Sequence, residues 1–208
     1  MLPLTAPRLH VKGAWLLQRP GAAWLAVALL IALPAWWLGP VTFSSSWALH
    51  PPAGLSGNPV SAWWTPAWAH ATAQHLSANL WACGLMAVLG LAARLPPRAA
   101  LAWLMAWPAT HVLLMLDPRL AAYLGASGVL HAGAAIVGVW LWRSGRRGLA
   151  GIWLLALCVK VLYDLSLGMP TAIRPGLDTP VSTLSHLAGT LSGLFFAGFL
   201  GAPRREKT

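Results

Sequence analysis

Acidic side chains are scarce: four Asp and Glu stand against fourteen Lys and Arg in 208 residues, and charged residues make up only 9%. Soluble domains carry about 25%, so an ordinary water-facing globule is excluded. No Asp, Glu, Lys or Arg occurs between Arg19 and Arg94. There are only two cysteines, Cys83 and Cys158, both inside apolar runs, which excludes a disulfide scaffold. The 20 glycines and 17 prolines follow no fixed period, which excludes a collagen-like chain. Disorder is excluded by a hydrophobic share of 58%. With a mean hydropathy of +0.64, what remains is an integral membrane protein.

The formal net charge of +10 raises the question of nucleic acid, but its distribution answers it. Eleven of the fourteen basic residues fall in four clusters: Arg8, Lys12 and Arg19; Arg94 and Arg98; Arg143, Arg146 and Arg147; Arg204, Arg205 and Lys207. Clusters that punctuate apolar segments are positive-inside anchors, not a nucleic-acid footprint.

A helix needs about 20 apolar residues to cross a bilayer. The candidate spans are 21–39, 70–93, 99–116, 127–142, 149–167 and 181–200. Six spans with both termini cytoplasmic place every basic cluster on one side. The opposite loops then hold only Asp117, Arg119, Arg174 and Asp178, with no net charge. Reading the first span as a cleaved signal peptide, with Ser46-Trp47-Ala48 as the cleavage site, is the alternative; it would leave five spans. Segment 40–69 is a long external loop carrying Trp47, Trp63, Trp64 and Trp68, expected to lie on the outer leaflet because tryptophan favours that interface.

Polar side chains inside spans are expensive and mark function. A rise of about 1.5 Å per residue gives each a depth above the nearest cytoplasmic arginine. Ser127 lies about 24 Å above Arg143, His186 about 27 Å above Arg204, and Asn79 and His75 about 22 and 28 Å above Arg94. Three helices thus bring Ser, His, Asn and His to one layer of a core about 30 Å thick. The fourth span is too short for that core, so Leu120 to Ala126 must dip into the membrane as irregular backbone. Such backbone persists only when buried in protein or lining a wet cavity.

Gly125-Ala126-Ser127-Gly128 sets a serine between glycines at a loop-to-helix junction, where free N–H groups can face an oxyanion. Small residues also serve plain helix packing. His186 precedes a Gly189/Gly193 face that permits close helix approach; it is either a general base for Ser127 or a structural histidine. His75 and Asn79 share a face and can hydrogen-bond an oxyanion, or tie helices together. His131 follows Ser127 by four residues and either packs under His186 or is itself the base. His70 is expected near the outer interface in a solvated role, and His111 has no evident partner. Lys160 and Asp164, four apart, form an ion pair or a proton relay. With Asp164 so committed, Asp117 and Asp178 are the only other acids open to a triad, and a Ser–His dyad is the simpler expectation.

These residues resemble the rhomboid intramembrane serine proteases. The resemblance rests on His70, His75 and Asn79 on the second span, Gly125-Ala126-Ser127-Gly128 opening the fourth, and His186, Gly189 and Gly193 on the sixth. It covers essentially the whole chain and implies an all-α, six-helix rhomboid-like fold in a single domain. It further implies Ser127 as nucleophile and His186 as base. His75, Asn79 and the Ser127 N–H would form the oxyanion hole, with Gly125, Gly128, His131, Gly189 and His70 supporting the site. Loop 40–69 looks like the family's membrane-lying loop, and 168–180 like its cap.

Many rhomboids carry tyrosine four residues after the nucleophile. His131 at that position, in a chain this short, looks more like the rhombosortase branch, implied to process exported proteins with a carboxy-terminal Gly-Gly, hydrophobic helix and basic tail. The expected protein is therefore an endopeptidase of the bacterial inner membrane, acting on transmembrane-helix substrates, with neither metal nor organic cofactor and no nucleic-acid partner. The rival readings are a small metal or proton transporter using His75, His131 and His186, whose layer is expected to lack a carboxylate, and an inactive rhomboid-like protein that binds helices without cutting them.

Overall fold

A computed structural model describes residues 19–173 and 176–200. Arg8, Lys12, Arg174, Arg204, Arg205, Glu206 and Lys207, which enter the charge reading, lie outside the described residues. The described chain is all-helical. Its long helices are α1 (Ala22–Leu38), α2 (Ala73–Ala92), α3 (Pro97–Leu114), α4 (Ser127–Arg143), α5 (Arg147–Ser166) and α6 (Thr183–Leu200). They fall within four residues of the expected segments. By length and hydropathy α2, α5 and α6 can each cross a membrane, while α1 is apolar but slightly shorter.

Lipid offers no hydrophobic drive for helices to associate, so close packing and hydrogen bonds must hold the bundle. Two fully buried indoles supply much of both. Trp24 of α1 stacks on Trp103 of α3 with ring centroids 4.3 Å apart. The Trp24 Nε1–H donates to the Met86 carbonyl of α2 at 2.7 Å, and the Trp103 Nε1–H to the Val129 carbonyl of α4 at 2.7 Å. One aromatic pair therefore ties four helices together.

The α4–α6 crossing is closer still. A Cβ on Gly189 would sit 1.8 Å from the Gly128 carbonyl oxygen, and one on Gly193 would sit 2.3 Å from that of Ala132. The expected glycine face does meet α4, backbone against backbone. At the far end of the crossing, the Arg143 guanidinium donates to the Ala197 and Gly198 carbonyls at 2.7 and 3.1 Å, satisfying acceptors in the last turn of α6. α5 attaches through the Trp153 Nε1–H, which donates to the Ala134 carbonyl at 2.8 Å.

Between α1 and α2 the chain runs through short turns, including the single helical turn Gly54–Gly57. Its tryptophans pack downward onto the helices. Trp64 and Trp68 meet Trp107 of α3 edge-on at 5.4 and 5.7 Å, and the Trp68 Nε1–H donates to the Leu30 carbonyl of α1 at 2.9 Å. Leu120 to Ala126 is irregular and largely buried, as the short fourth span requires. Leu49 exchanges two backbone hydrogen bonds with Tyr123, at 3.0 and 2.8 Å, and the Gly125 N–H donates to Pro66 O at 2.8 Å. The loop therefore gives this irregular backbone protein partners for its buried polar groups.

Because backbone cannot yield to a new side chain, Gly189→Val should destabilise the protein by more than the ~3 kcal/mol of ordinary overpacking. Gly151→Val, on α5 with no atom near its Cβ position, should unfold like wild type. Thermal unfolding in detergent micelles checks both.

Candidate active site

α4 begins at Ser127, so its first N–H groups have no acceptor one turn earlier. Two residues before, Gly125 has φ +123, a conformation that side-chain-bearing residues rarely adopt. A Cβ there would fall 2.8 Å from His75 Nε2 and 4.0 Å from Asn79 Nδ2. The glycine thus lets the start of α4 rest against both polar groups of α2. Thr72 caps α2, its hydroxyl accepting the His75 N–H at 3.1 Å, which sets His75 in the first turn. The Asn79 amide donates to the His75 carbonyl at 3.1 Å, so the pair stands as a unit on one face.

Tyr123 fastens this turn. Its buried hydroxyl donates to the Gly125 carbonyl at 2.7 Å and accepts the Gly128 N–H at 3.4 Å. The irregular segment is legible from span length, but Tyr123 is not singled out by any spacing. The one available signal is that it is one of two tyrosines, four residues before the serine.

His131 lies one turn along α4. Its Nδ1 is 2.7 Å from the Ser127 carbonyl, which can only accept, so the Nδ1 carries the proton. Its ring stacks on that of His186 at 4.0 Å with planes 13° apart. His131 therefore packs against His186 while holding the backbone of Ser127. His186 is buried, with Nδ1 2.5 Å from Asp164 Oδ2. An ionised carboxylate accepts, which places the ring proton on Nδ1 and leaves an Nε2 lone pair for a proton from elsewhere.

That contact corrects the expectation of a histidine without a carboxylate. Asp164, wholly buried, does meet the Lys160 ammonium on its own helix, but the same Oδ2 also accepts from His186. The two acids left open for the role are engaged elsewhere. Asp117 takes the Arg119 Nε–H at 2.8 Å, and that guanidinium holds its carboxyl below the usual carboxylate range. Asp178 accepts the Thr72 hydroxyl at 2.7 Å. An i, i+4 lysine hides the cross-helix partner from sequence reasoning, because only the rotation of α5 against α6 decides it.

The layer therefore contains a carboxylate, contrary to the expectation attached to the metal reading. Ligand atoms of His131, Asp164 and His186 lie within 4.8 Å of one another. The donor set still suits protons better than a cation. Parallel stacked rings point their in-plane lone pairs side by side rather than at one point, and the carboxylate oxygen already faces an ammonium.

Two further histidines differ from expectation. His70 is fully buried rather than solvated: it lies edge-on to His75 at 4.9 Å, with Nδ1 donating to the Trp68 carbonyl at 3.3 Å. The tryptophan-rich loop folds over it, which the loop's interfacial composition does not announce. His111 has a partner after all, its Nδ1 donating to the Trp63 carbonyl at 2.7 Å and pinning the same loop to α3.

A cavity of about 330 Å³ has Ser127, His75 and Tyr123 in its wall, with Phe43 from the first loop and Thr171, Pro180 and Val181 from the segment before α6. Ala172 and Val181 pair antiparallel through two 2.9 Å hydrogen bonds. Gln74 joins this flap to α2, donating to the Gly176 carbonyl at 2.8 Å and accepting the Asp178 N–H at 2.9 Å. Thr171, Pro180 and Val181 thus border a hollow that reaches the serine.

Tyr123→Phe strips the Gly125 carbonyl of its buried donor. It should cost about 1–3 kcal/mol, the usual penalty for an orphaned buried group, with unchanged helix content by circular dichroism.

The family profile described as the rhomboid domain matches residues 58–203. No curated protein matches the chain closely enough to lend it a substrate. The matched region runs from the first loop through α6 and takes in the helix-opening serine, the α2 histidine and asparagine, and the α6 histidine over its glycines. The chain is an integral membrane protein of the rhomboid family, a family generally made up of intramembrane serine proteases acting on transmembrane substrates.

Proposed function

We propose that the protein is an active intramembrane endopeptidase in which Ser127 is the nucleophile and His186 its general base. The observation that carries this reading is the His186 Nδ1–H directed at the buried Asp164 carboxylate, which leaves Nε2 as the proton acceptor. Ser127 opens the neighbouring helix, and His131 bonds its carbonyl while stacking on the base. In the reaction, Oγ attacks the carbonyl carbon of the scissile bond as its proton passes to Nε2. His75, Asn79 and the Ser127 N–H receive the oxyanion. Collapse breaks the C–N bond, His186 returns the proton to the departing amine, and water from the cavity releases the acyl group.

Six crossings with both termini on the cytoplasmic side of a bacterial inner membrane fit the four basic clusters. His131 in place of tyrosine supports the rhombosortase branch, whose substrates would carry a Gly-Gly, hydrophobic-helix, basic-tail carboxyl terminus. The stacked His131 ring occupies the position that an aromatic ring would otherwise fill against the base.

Wild type should react with a fluorophosphonate probe and process a co-expressed Gly-Gly-tailed protein. Ser127→Ala and His186→Ala should lose both by about a thousandfold or more. His75→Ala and Asn79→Ala should lose on the order of 10²–10³ in turnover, as expected for single oxyanion donors. Equal processing by all variants would overturn the site. An unlabelled wild type that moves metal ions would support the transporter reading, and a labelled protein with no turnover the helix-binding one.

A further inference from the structure

Lys160 stands 13 residues into α5 from Arg147, about 20 Å along the helix axis. α5 is the least buried of the helices long and apolar enough to cross a membrane, so this cation sits about 9 Å short of the far end, Ser166, of a helix turned largely outward. Its side chain is 41% exposed and that of Asp164 is 0%. The ammonium therefore closes the outer side of the carboxylate, while His186 closes the inner side on the same oxygen, Oδ2.

Ammonium, carboxylate and neutral imidazole sum to zero charge, which a low-dielectric interior favours. Without the ammonium the remaining pair would carry −1 and would take up one proton to neutralise. If that proton goes to the ring, Nε2 is occupied directly. If it goes to Oδ2, the oxygen that faces Nδ1, the ring proton must shift to Nε2 to avoid two opposed donors. In both cases the lone pair meant for the Ser127 proton is gone.

We infer that Lys160 is a positioning residue for the reaction: by balancing Asp164 it keeps His186 neutral, protonated on Nδ1 and able to accept at Nε2. This rests on the Ser127–His186 reading and assigns it a regulator of charge. The other groups around His186 do not supply the same balance. His131 of α4 already has its Nδ1 proton on the Ser127 carbonyl, and Ser127 and Tyr123 are neutral hydroxyls. His75 of α2 lies against Gly125, and Asp178 of the flap accepts from the Thr72 hydroxyl. Lys160 brings a full positive charge onto the Asp164 carboxylate.

The test is the rate of fluorophosphonate labelling of purified full-length protein against pH. Lys160→Met should fall at least tenfold at neutral pH and recover toward wild type at alkaline pH, as the extra proton leaves. Lys160→Arg should keep the wild-type profile. Asp164→Asn should be slower at every pH, and in that background Lys160→Met should no longer move the profile, because no carboxylate remains to be balanced. A purely structural lysine would lower the rate equally at all pH values and would overturn the inference. So would a Lys160→Met profile that coincides with wild type while Ser127→Ala is unlabelled. Labelling that survives in Ser127→Ala would instead overturn the underlying site. If Lys160→Met fails to reach the membrane, Lys160→Gln replaces it in the same pH scan, where the same recovery supports the inference and the same flat loss overturns it.

Discussion

The site depends on how closely α4 and α6 approach. Their backbones touch where Gly189 faces the Gly128 carbonyl, a separation no side chain could share. That contact sets His186 one turn from the α4 backbone and lets the His131 ring slide flat against it. In lipid, such closeness is the source of helix affinity as well as its result, because dispersion and backbone contacts replace the missing hydrophobic drive. One glycine pair thus serves stability and places the imidazole against His131, which bonds the Ser127 carbonyl.

A second constraint is the cost of charge. Asp164 is fully buried and survives there because two donors converge on it, one from its own helix and one from α6. A buried carboxylate with one partner removed becomes an uncompensated charge, which is far costlier than the intact pair. The same economy explains the tryptophan loop. The Trp68 and Trp107 indole N–H groups and the His111 and His70 rings spend donors on backbone carbonyls at this loop, while the Trp63 Nε1 is buried without a hydrogen-bond partner.

Most of the architecture was legible because hydropathy and basic clusters mark where helices start and stop. The start of α4 at Ser127 followed from length alone: a helix too short for the core forces irregular backbone before it. The layer shared by Ser127, His75, Asn79 and His186 followed from counting residues to the nearest arginine. Rotations about the helix axis were not legible. Asp164 reads as Lys160's partner because four residues separate them, and only packing shows that its face also turns toward α6. Tyr123 and His70 escaped for a related reason, since their partners are loop carbonyls whose positions no periodicity encodes.

These two layers of information meet at His186. Its position comes from glycine spacing along α6, which is visible in the chain itself, but its protonation state comes from α5, through a carboxylate and an ammonium four residues apart. A dyad described by its serine and histidine alone would leave the ring tautomer unfixed, because a neutral imidazole can carry its proton on either nitrogen. The Asp164 contact removes that freedom, and the opposing Lys160 charge keeps the contact from going too far and protonating the ring outright. On this reading α5 presents an anchor for one nitrogen of His186 and a counter-charge for that anchor on adjacent turns of one face.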